Sequence, residues 1–312
     1  MSTTVRPVQR RDATEGTQAP KARRRDRLAG LVFSVPGIVL LLLFLVTPFL
    51  MALGLSFTNV RLASPLPVRF VGLDNYIATF TRASFWQALG NNVVFTAVVV
   101  PVQTAFALWL AILVNRKLRG ILVFRAIYFS PVVVVMAVAA TVWLLLYSPD
   151  RGLINGFLRL VSFGALESDW LQSTTMALPA IMIMSIWQGV GFQMIIILAG
   201  LQDIPDDLYE AAQVDGATRR QQFLYVTLPQ LRNTLIFVAT VTMILAFRLF
   251  DQVWVMTGGG PLGATRTMMI EMVEVGFTQQ MIARGSAVAV IFFLIVLAVT
   301  LVQRLLIREE AH

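Results

Sequence analysis

The side chains on which most enzyme chemistry depends are scarce in this sequence. It contains no cysteine, and its single histidine is His312, the last residue. Thiolate metal sites, cysteine nucleophiles and serine–histidine catalysis are therefore excluded. Lysine occurs only at Lys21 and Lys117, and neither follows the glycine that precedes the lysine of a phosphate-binding loop. Any nucleotide on which the chain depends must therefore be bound by another subunit, and we expect no cofactor.

The remaining candidates are polar side chains within apolar stretches. Of the 312 residues, 57% are hydrophobic and only 13% are charged, against roughly 25% charged in a soluble domain. Polar groups are costly inside a membrane, so those that occur there are candidates for function. One set, spaced at three or four residues, shares one helical face, and a second set follows in a later apolar stretch. The two sets are Ser185, Gln188, Gly189 and Phe192, and Thr242, Arg248, Asp251 and Gln252.

The apolar stretches themselves predict membrane-spanning helices, each of which needs about 20 residues. Five stretches contain no charge: Leu28–Val60, Ala83–Asn115, Ala126–Pro149, Trp170–Gln202 and Gly285–Gln303. A sixth, Asn233–Val255, is interrupted only by Arg248 and Asp251. We predict an all-α polytopic membrane bundle, because a barrel would show alternating segments of about ten residues instead. The predicted spans are about 31–57, 86–114, 122–147, 175–201, 233–256 and 285–305.

The positions of the basic residues predict how the chain lies in the membrane. The net charge of +8 comes largely from the segment before Leu28 and from Arg116–Arg125. Lysine and arginine are enriched in cytoplasmic loops, so we expect both termini in the cytoplasm of a bacterial-type inner membrane. Residues 1–27 are expected to be a disordered tail that can contact anionic lipid, residues 28–307 the membrane domain, and residues 308–312 a cytoplasmic end. This distribution argues against nucleic acid as a partner.

A long segment between the fourth and fifth spans, residues 203–230, has the pattern of helix–turn–helix. Asp206 is expected to cap the first helix, and Gly216 to end it in the left-handed conformation. Thr218 is expected to cap a second helix, which Pro229 bounds. A helix of about ten residues is too short to be stable alone, so another surface must hold it. The pattern alone leaves two alternatives open: a helix lying flat on the membrane or bundle, and an element that docks onto a partner.

The same segment resembles the EAA motif of ABC importer permeases, E-A-A-x₃-G-x₉-I-x-L-P. Its spacing is met by Glu210-Ala211-Ala212, Gly216 and Val226-Thr227-Leu228-Pro229, with Val226 in place of isoleucine. Two flanking segments, 201–209 and 250–261, resemble the carbohydrate-type branch that includes the maltose and glycerol-3-phosphate importers. The resemblance covers about residues 30–307 and implies one permease subunit of an ATP-driven, binding-protein-dependent importer of a sugar or sugar-like solute.

The resemblance implies three protein partners and two sets of site residues. The partners are cytoplasmic ABC ATPase subunits, a second permease subunit and an extracytoplasmic solute-binding protein. The ATPase-coupling residues would be Glu210, Ala211, Ala212, Asp215, Gly216, Leu228 and Pro229. The substrate pathway would comprise Ser185, Gln188, Gly189, Phe192, Thr242, Leu245, Arg248, Asp251 and Gln252. Ala246 and Leu249 are apolar where the maltose importer has asparagine, so a maltose-like binding mode is not expected.

Structural roles remain alternatives for several of these residues. Ser185 and Gln188 could hydrogen-bond between helices, and Arg248 and Asp251, three residues apart, could neutralise each other. Trp187 and Phe192 could pack in the bundle or stack on sugars. Glu271 and Glu274 are expected to form the wet face of an interfacial helix.

Two other classes of function compete with the importer subunit. A self-sufficient secondary transporter or channel would often show inverted repeats with paired broken helices, but the first three spans contain no counterpart of residues 203–232. An intramembrane enzyme would need catalytic groups at one depth, yet Asp251 is the sole acid within a predicted span. Both alternatives are therefore disfavoured.

Overall fold

The computed structural model describes residues 33–65, 67–115, 120–162 and 168–309. Within these residues the chain is helical and forms no strand beyond an isolated bridge between Thr58 and Phe70. Contacts between residues divide the chain into two units, and the boundary after Met51 falls within the first helix. The candidate site and the helix–turn–helix segment both lie in the unit that begins at Ala52. The tail predicted for residues 1–27 lies outside the described residues.

Thirteen helices form in the described part of the chain, counting helices that contain a π-helical turn as one. They are α1 (Phe33–Ser56), α2 (Asp74–Phe80), α3 (Ala83–Val114), α4 (Ile121–Val133), α5 (Met136–Leu146), α6 (Leu153–Val161), α7 (Ala177–Gln202), α8 (Asp206–Val214), α9 (Arg219–Gln230), α10 (Arg232–Phe247), α11 (Asp251–Met256), α12 (Met268–Thr278) and α13 (Ile282–Glu309).

Four of these helices, α1, α3, α7 and α13, are long and apolar enough to cross a membrane. Two bent pairs bring the number to six if each pair is one span: α4 with α5, bent by 98°, and α9 with α10, bent by 64°. The predicted all-α membrane bundle is confirmed.

The third predicted span is not one continuous helix. Pro131 lies near the end of α4, and Val134 and Val135 are extended before α5 begins. Pro131 cannot pair with the carbonyl of Ile127 and so weakens the turn before it, but α4 continues to Val133 and ends only where Val134 and Val135 take ψ angles of 130° and 132°. The predicted range 122–147 therefore comprises two helices that meet at a sharp angle.

The fifth predicted span also breaks, between Phe247 and Asp251. Asn92, which is fully buried on α3, donates from Nδ2 to the carbonyl of Phe247 at 3.1 Å and accepts the Met268 N–H at 2.8 Å. Thr267 Oγ1 donates to the carbonyl of Leu249 at 2.9 Å. Backbone groups freed inside a membrane protein need such partners, because no water replaces them. Two distant side chains therefore hold this break.

The core forms where α3 and α4 pack against α7. At the contact with α4, a Cβ on Gly191 would clash with the carbonyl oxygen of Tyr128. Glycine therefore lets the two backbones approach, as small residues do between membrane helices. Buried apolar side chains such as Phe95, Ile181 and Met194 fill the space around these helices.

The acidic pair on α12 differs from the expectation. Glu271 is 1% exposed and accepts hydrogen bonds from Arg266 Nη1 and from Ser84 Oγ, both at 2.8 Å. Arg82 Nε lies 3.9 Å from the same carboxylate. Only Glu274 is partly exposed, at 33%, and it shares Arg266 at 2.9 Å. The predicted wet helix face is therefore wrong for Glu271, whose buried charge is compensated by ion pairs that join α12 to the start of α3.

Candidate functional site

The predicted pathway residues come together around one cavity of about 260 Å³. Eight of the nine line it: Ser185, Gln188, Gly189, Thr242, Leu245, Arg248, Asp251 and Gln252. The ninth, Phe192, is not part of the lining and is 42% exposed. The cavity lies where α7, α10 and α11 meet α3 and α5, at the break in the fifth span.

Part of the polar lining is bonded between helices, as the structural alternative predicts. Gln252 Nε2 on α11 donates to Ser185 Oγ on α7 at 3.3 Å, and this hydroxyl donates to the carbonyl of Ile181 at 2.8 Å. Buried Gln193 donates from Nε2 to Thr242 Oγ1 on α10. These bonds fix the positions of Ser185 and Thr242 in the wall of the cavity.

Other polar groups in the lining have no protein partner in the described part of the chain. Gln188 and Gln103 make no side-chain hydrogen bond there, although Gln103 is only 6% exposed. Arg248 and Asp251, expected to neutralise each other, form no ion pair among the described residues and are both exposed. The cavity thus presents amides, a guanidinium and a carboxylate that are available to a solute.

Several lining residues were not predicted: Phe95, Val99, Gln103 and Met136, besides the apolar Ala246 and Leu249 that the resemblance had indicated. Gln103 could have been found, because it is a polar side chain within the charge-free stretch Ala83–Asn115. A Cβ on Gly189 would lie 2.5 Å from Gln103 Nε2, so the absence of a side chain there makes room for this amide.

The helix–turn–helix segment, residues 203–230, folds largely as its sequence predicts. Gly216 has φ +76°, and its N–H donates to the carbonyl of Gln213 at 3.0 Å while that of Ala217 donates to Ala212 at 2.9 Å. This pair of bonds is the Schellman helix ending. Thr218 caps α9 in a capping box with Gln221.

The predicted cap of α8 is wrong, because Asp206 is already the first helical residue. The cap position is Pro205, and no side-chain hydrogen bond closes this end. Pro205 is followed by the acidic residues Asp206 and Asp207 in the first turn, where the helix dipole favours negative charge. At the other end of the segment, Pro229 lies in the last turn of α9, two residues after the end of a π-helical turn at Phe223–Thr227.

One face of α8 is anchored and the opposite face is open. Tyr209 Oη and Thr227 Oγ1 are 2.9 Å apart, which links α8 to α9, and Ile204 is buried just before the helix. Glu210 and Ala211 are exposed, and Val214 is 88% exposed. The exposed face therefore carries a carboxylate, a small residue and an apolar side chain.

Comparisons with known proteins agree with this architecture. The family model described as binding-protein-dependent transport system inner membrane component matches residues 103–310. The trehalose/maltose transport system permease protein MalF of Thermococcus litoralis is 34% identical over 90% of this chain and 94% of its own. The sulfoquinovosyl glycerol transport system permease protein SmoG of Agrobacterium fabrum is 34% identical over 91% and 92%.

Among solved structures, a chain of the bacterial ABC transporter that imports the acidic polysaccharide alginate superposes with a TM-score of 0.80. It is 21% identical, over 94% of this chain and 99% of its own, and therefore shows a shared fold. Because the family model covers most of the chain and the relatives cover nearly all of it, this protein belongs to the family of inner membrane components of binding-protein-dependent transport systems.

Proposed function

We propose that this subunit imports a sugar or sugar-like solute, and that a separate ATPase subunit drives the import through α8. The observation that carries the proposal is that eight of the nine predicted pathway residues line one cavity. It lies between helices that the sequence separates widely, and its free amides and charged groups can exchange hydrogen bonds with hydroxyl groups.

The solute class is supported by the relatives and by the chemistry of the lining. MalF and SmoG are named for transport of sugars or a sugar derivative. Gln103 and Gln188 each offer donors and an acceptor, which match the hydroxyl groups of a sugar. Ala246 and Leu249 add apolar side chains to the lining, so the solute would be held differently from maltose.

The coupling route follows from covalent and hydrogen-bonded connections. Glu210 would make polar contacts inside a cleft of the ATPase, while Ala211 and Ala212 would allow close seating there. The Tyr209–Thr227 contact and the turn at Gly216 tie α8 to α9, which continues into α10 and its cavity residues. A push on α8 would therefore reach the cavity wall through helices, without passing through a flexible loop. Asp215 ends α8, and Leu228 and Pro229 lie in the last turn of α9.

The assembly proposed around this chain contains ATPase subunits, a second permease subunit and an extracytoplasmic solute-binding protein. A solved structure with TM-score 0.81 holds its transporter in complex with a periplasmic protein carrying an alginate pentasaccharide, which supports the last of these. The chain would lie in a bacterial-type inner membrane with both termini in the cytoplasm, and the basic tail would face anionic lipid.

The test is Gly216→Pro in the assembled transporter. Proline holds φ near −65°, whereas Gly216 requires +76°, so α8 can no longer turn into α9 as it does now. We expect normal amounts of inserted protein but no solute uptake. Gly120→Pro is the matched control, because Gly120 also has a positive φ, +82°, with nothing within 4 Å of a Cβ. Normal uptake by Gly216→Pro would refute the coupling role.

The energy source is tested separately by reconstituting the chain alone into vesicles. The proposal predicts no accumulation of solute, because the hydrolysis of ATP takes place in another subunit. Concentrative uptake by the isolated chain would favour a self-sufficient transporter and refute the importer subunit.

A further inference from the structure

A second, larger cavity of about 660 Å³ lies beyond the first one along the same helices. Residues at the end of α5, in the loop after it and at the end of α11 line it, among them Leu145, Ser148 and Met256. Gln172, from the segment before α7, adds an amide. None of the residues predicted for the substrate pathway borders this cavity.

Two helices run from the first cavity to the second. Met136 on α5 lines the first, and Tyr147, directly after α5, lines the second; eleven residues are about three turns, so both lie on one face, about 16.5 Å apart at 1.5 Å per residue. On α11, Gln252 lines the first and Met256 the second, and this spacing of four residues keeps both on one helical face. The two cavities are therefore consecutive compartments along one wall.

A row of aromatic rings follows the same course. Trp187, the neighbour of Gln188, is 5.5 Å from Trp143 between ring centroids, and Trp143 is 5.3 Å from Tyr147. Tyr147, which lines the second cavity, is 5.4 Å from Trp170. Of these four rings only Tyr147 borders either cavity, and it is 2% exposed, so the row contributes to the packing along this course and does not itself form a sugar-binding face.

The second cavity also carries polar groups that the protein leaves available. Ser148 and Gln172 make no side-chain hydrogen bond within the described residues, whereas the Tyr147 hydroxyl donates to the carbonyl of Ala180 at 3.0 Å. Around them the lining is apolar, with Leu145, Met256 and Pro261. A volume of several hundred Å³, mostly apolar walls and a few polar groups are the usual features of a small-molecule site.

We infer that this cavity is a second solute subsite, which holds a sugar through Ser148 and Gln172 before or after it occupies the first cavity. The inference rests on the proposed function, since it assigns the same solute to a second position on the pathway. It adds a binding step at the far end of α11 and makes Ser148 and Gln172 residues that contact the solute.

The chain contains no cysteine, so single-cysteine variants can test this in the assembled transporter with its solute-binding protein. A panel of glucose, trehalose, maltose and an alginate oligosaccharide is first screened for stimulation of ATP hydrolysis. Ser148→Cys and Gln172→Cys are then labelled with a membrane-impermeant maleimide, with and without the most stimulating sugar. We expect labelling to slow about tenfold at about ten times the half-saturating concentration, because the free fraction falls with occupancy.

Thr174→Cys is the matched control, because Thr174 lies two residues from Gln172, is exposed and lines a different cavity. Protection of Ser148→Cys and Gln172→Cys but not of Thr174→Cys supports the subsite. Equal labelling with and without a stimulating sugar overturns it and leaves the proposed function standing. Equal protection at all three positions indicates movement of the segment and also overturns it. If no member of the panel stimulates ATP hydrolysis, the proposed sugar importer fails, and the subsite fails with it.

Discussion

Removing the Glu271 carboxylate tests whether the ion pairs around α12 stabilise the fold. Glu271 is 1% exposed, and Glu271→Ala would leave Arg266 without one of its two partners and Ser84 without its acceptor. Breaking a buried pair by removing one partner costs about 3–5 kcal/mol. Arg266 and Arg82 are 22% and 27% exposed and keep some hydration, so we expect the lower end, about 3 kcal/mol.

Thermal unfolding of the detergent-purified transporter measures this cost. At about 2–4 °C per kcal/mol for a chain of this size class, the midpoint should fall by about 6–12 °C. Glu274→Ala is the matched control, since Glu274 binds the same arginine from a 33% exposed position, and it should cost at most about 1 kcal/mol. An unchanged midpoint for Glu271→Ala, or equal losses for the two variants, would refute the reasoning.

Further substitutions test the packing and the proposed coupling segment. Gly191→Ala should sharply reduce the amount of folded protein, because its Cβ would clash with the Tyr128 carbonyl; Gly156→Ala, with nothing within 4 Å, should be neutral or stabilising by about 0.5–1 kcal/mol. Equal yields of the two variants, compared by fluorescence-detected size exclusion, would contradict this. Tyr209→Phe removes the 2.9 Å contact with Thr227, worth about 0.5–1.5 kcal/mol, and should lower uptake per ATP hydrolysed; an unchanged ratio would show that this contact transmits nothing.

The sequence predicts the helix–turn–helix segment well because its determinants are local. Gly216 ends α8 in the left-handed conformation and Thr218 caps α9, as the residue types alone indicate. The predicted cap of α8 is one residue too late. The Asp206 side chain is of a type that can cap a helix, but the cap position is occupied by Pro205. Local chemistry defines such ends to within a residue or two.

Features that depend on distant residues were not predictable in this way. The burial of Glu271 requires Arg82 and Ser84, nearly two hundred positions earlier in the chain. Hydrophobicity predicted the fifth span, 233–256, but not its break, because the partners of the break are Asn92 and Thr267. The bend between α4 and α5 was not predictable from Pro131 either, because it begins three residues beyond this proline, whereas a proline disturbs the turn that precedes it.

The sequence predicts part of the cavity lining and misses the rest. The polar residues on α7, α10 and α11 were predicted from their cost in an apolar setting and from the family resemblance. The contributions of Phe95, Val99, Gln103 and Met136 depend on how α3 and α5 pack, which no pattern within one helix specifies.

The break before α11 has a consequence for how this protein can diversify. Its backbone is held by Asn92 and Thr267, neither of which faces the cavity. Leu245, Arg248 and Asp251 project from the same region and carry none of that support. Substitutions at these three positions can therefore change the side chains that line the cavity while the hydrogen bonds that hold the break stay intact. A few such substitutions can adapt the same fold to a different solute.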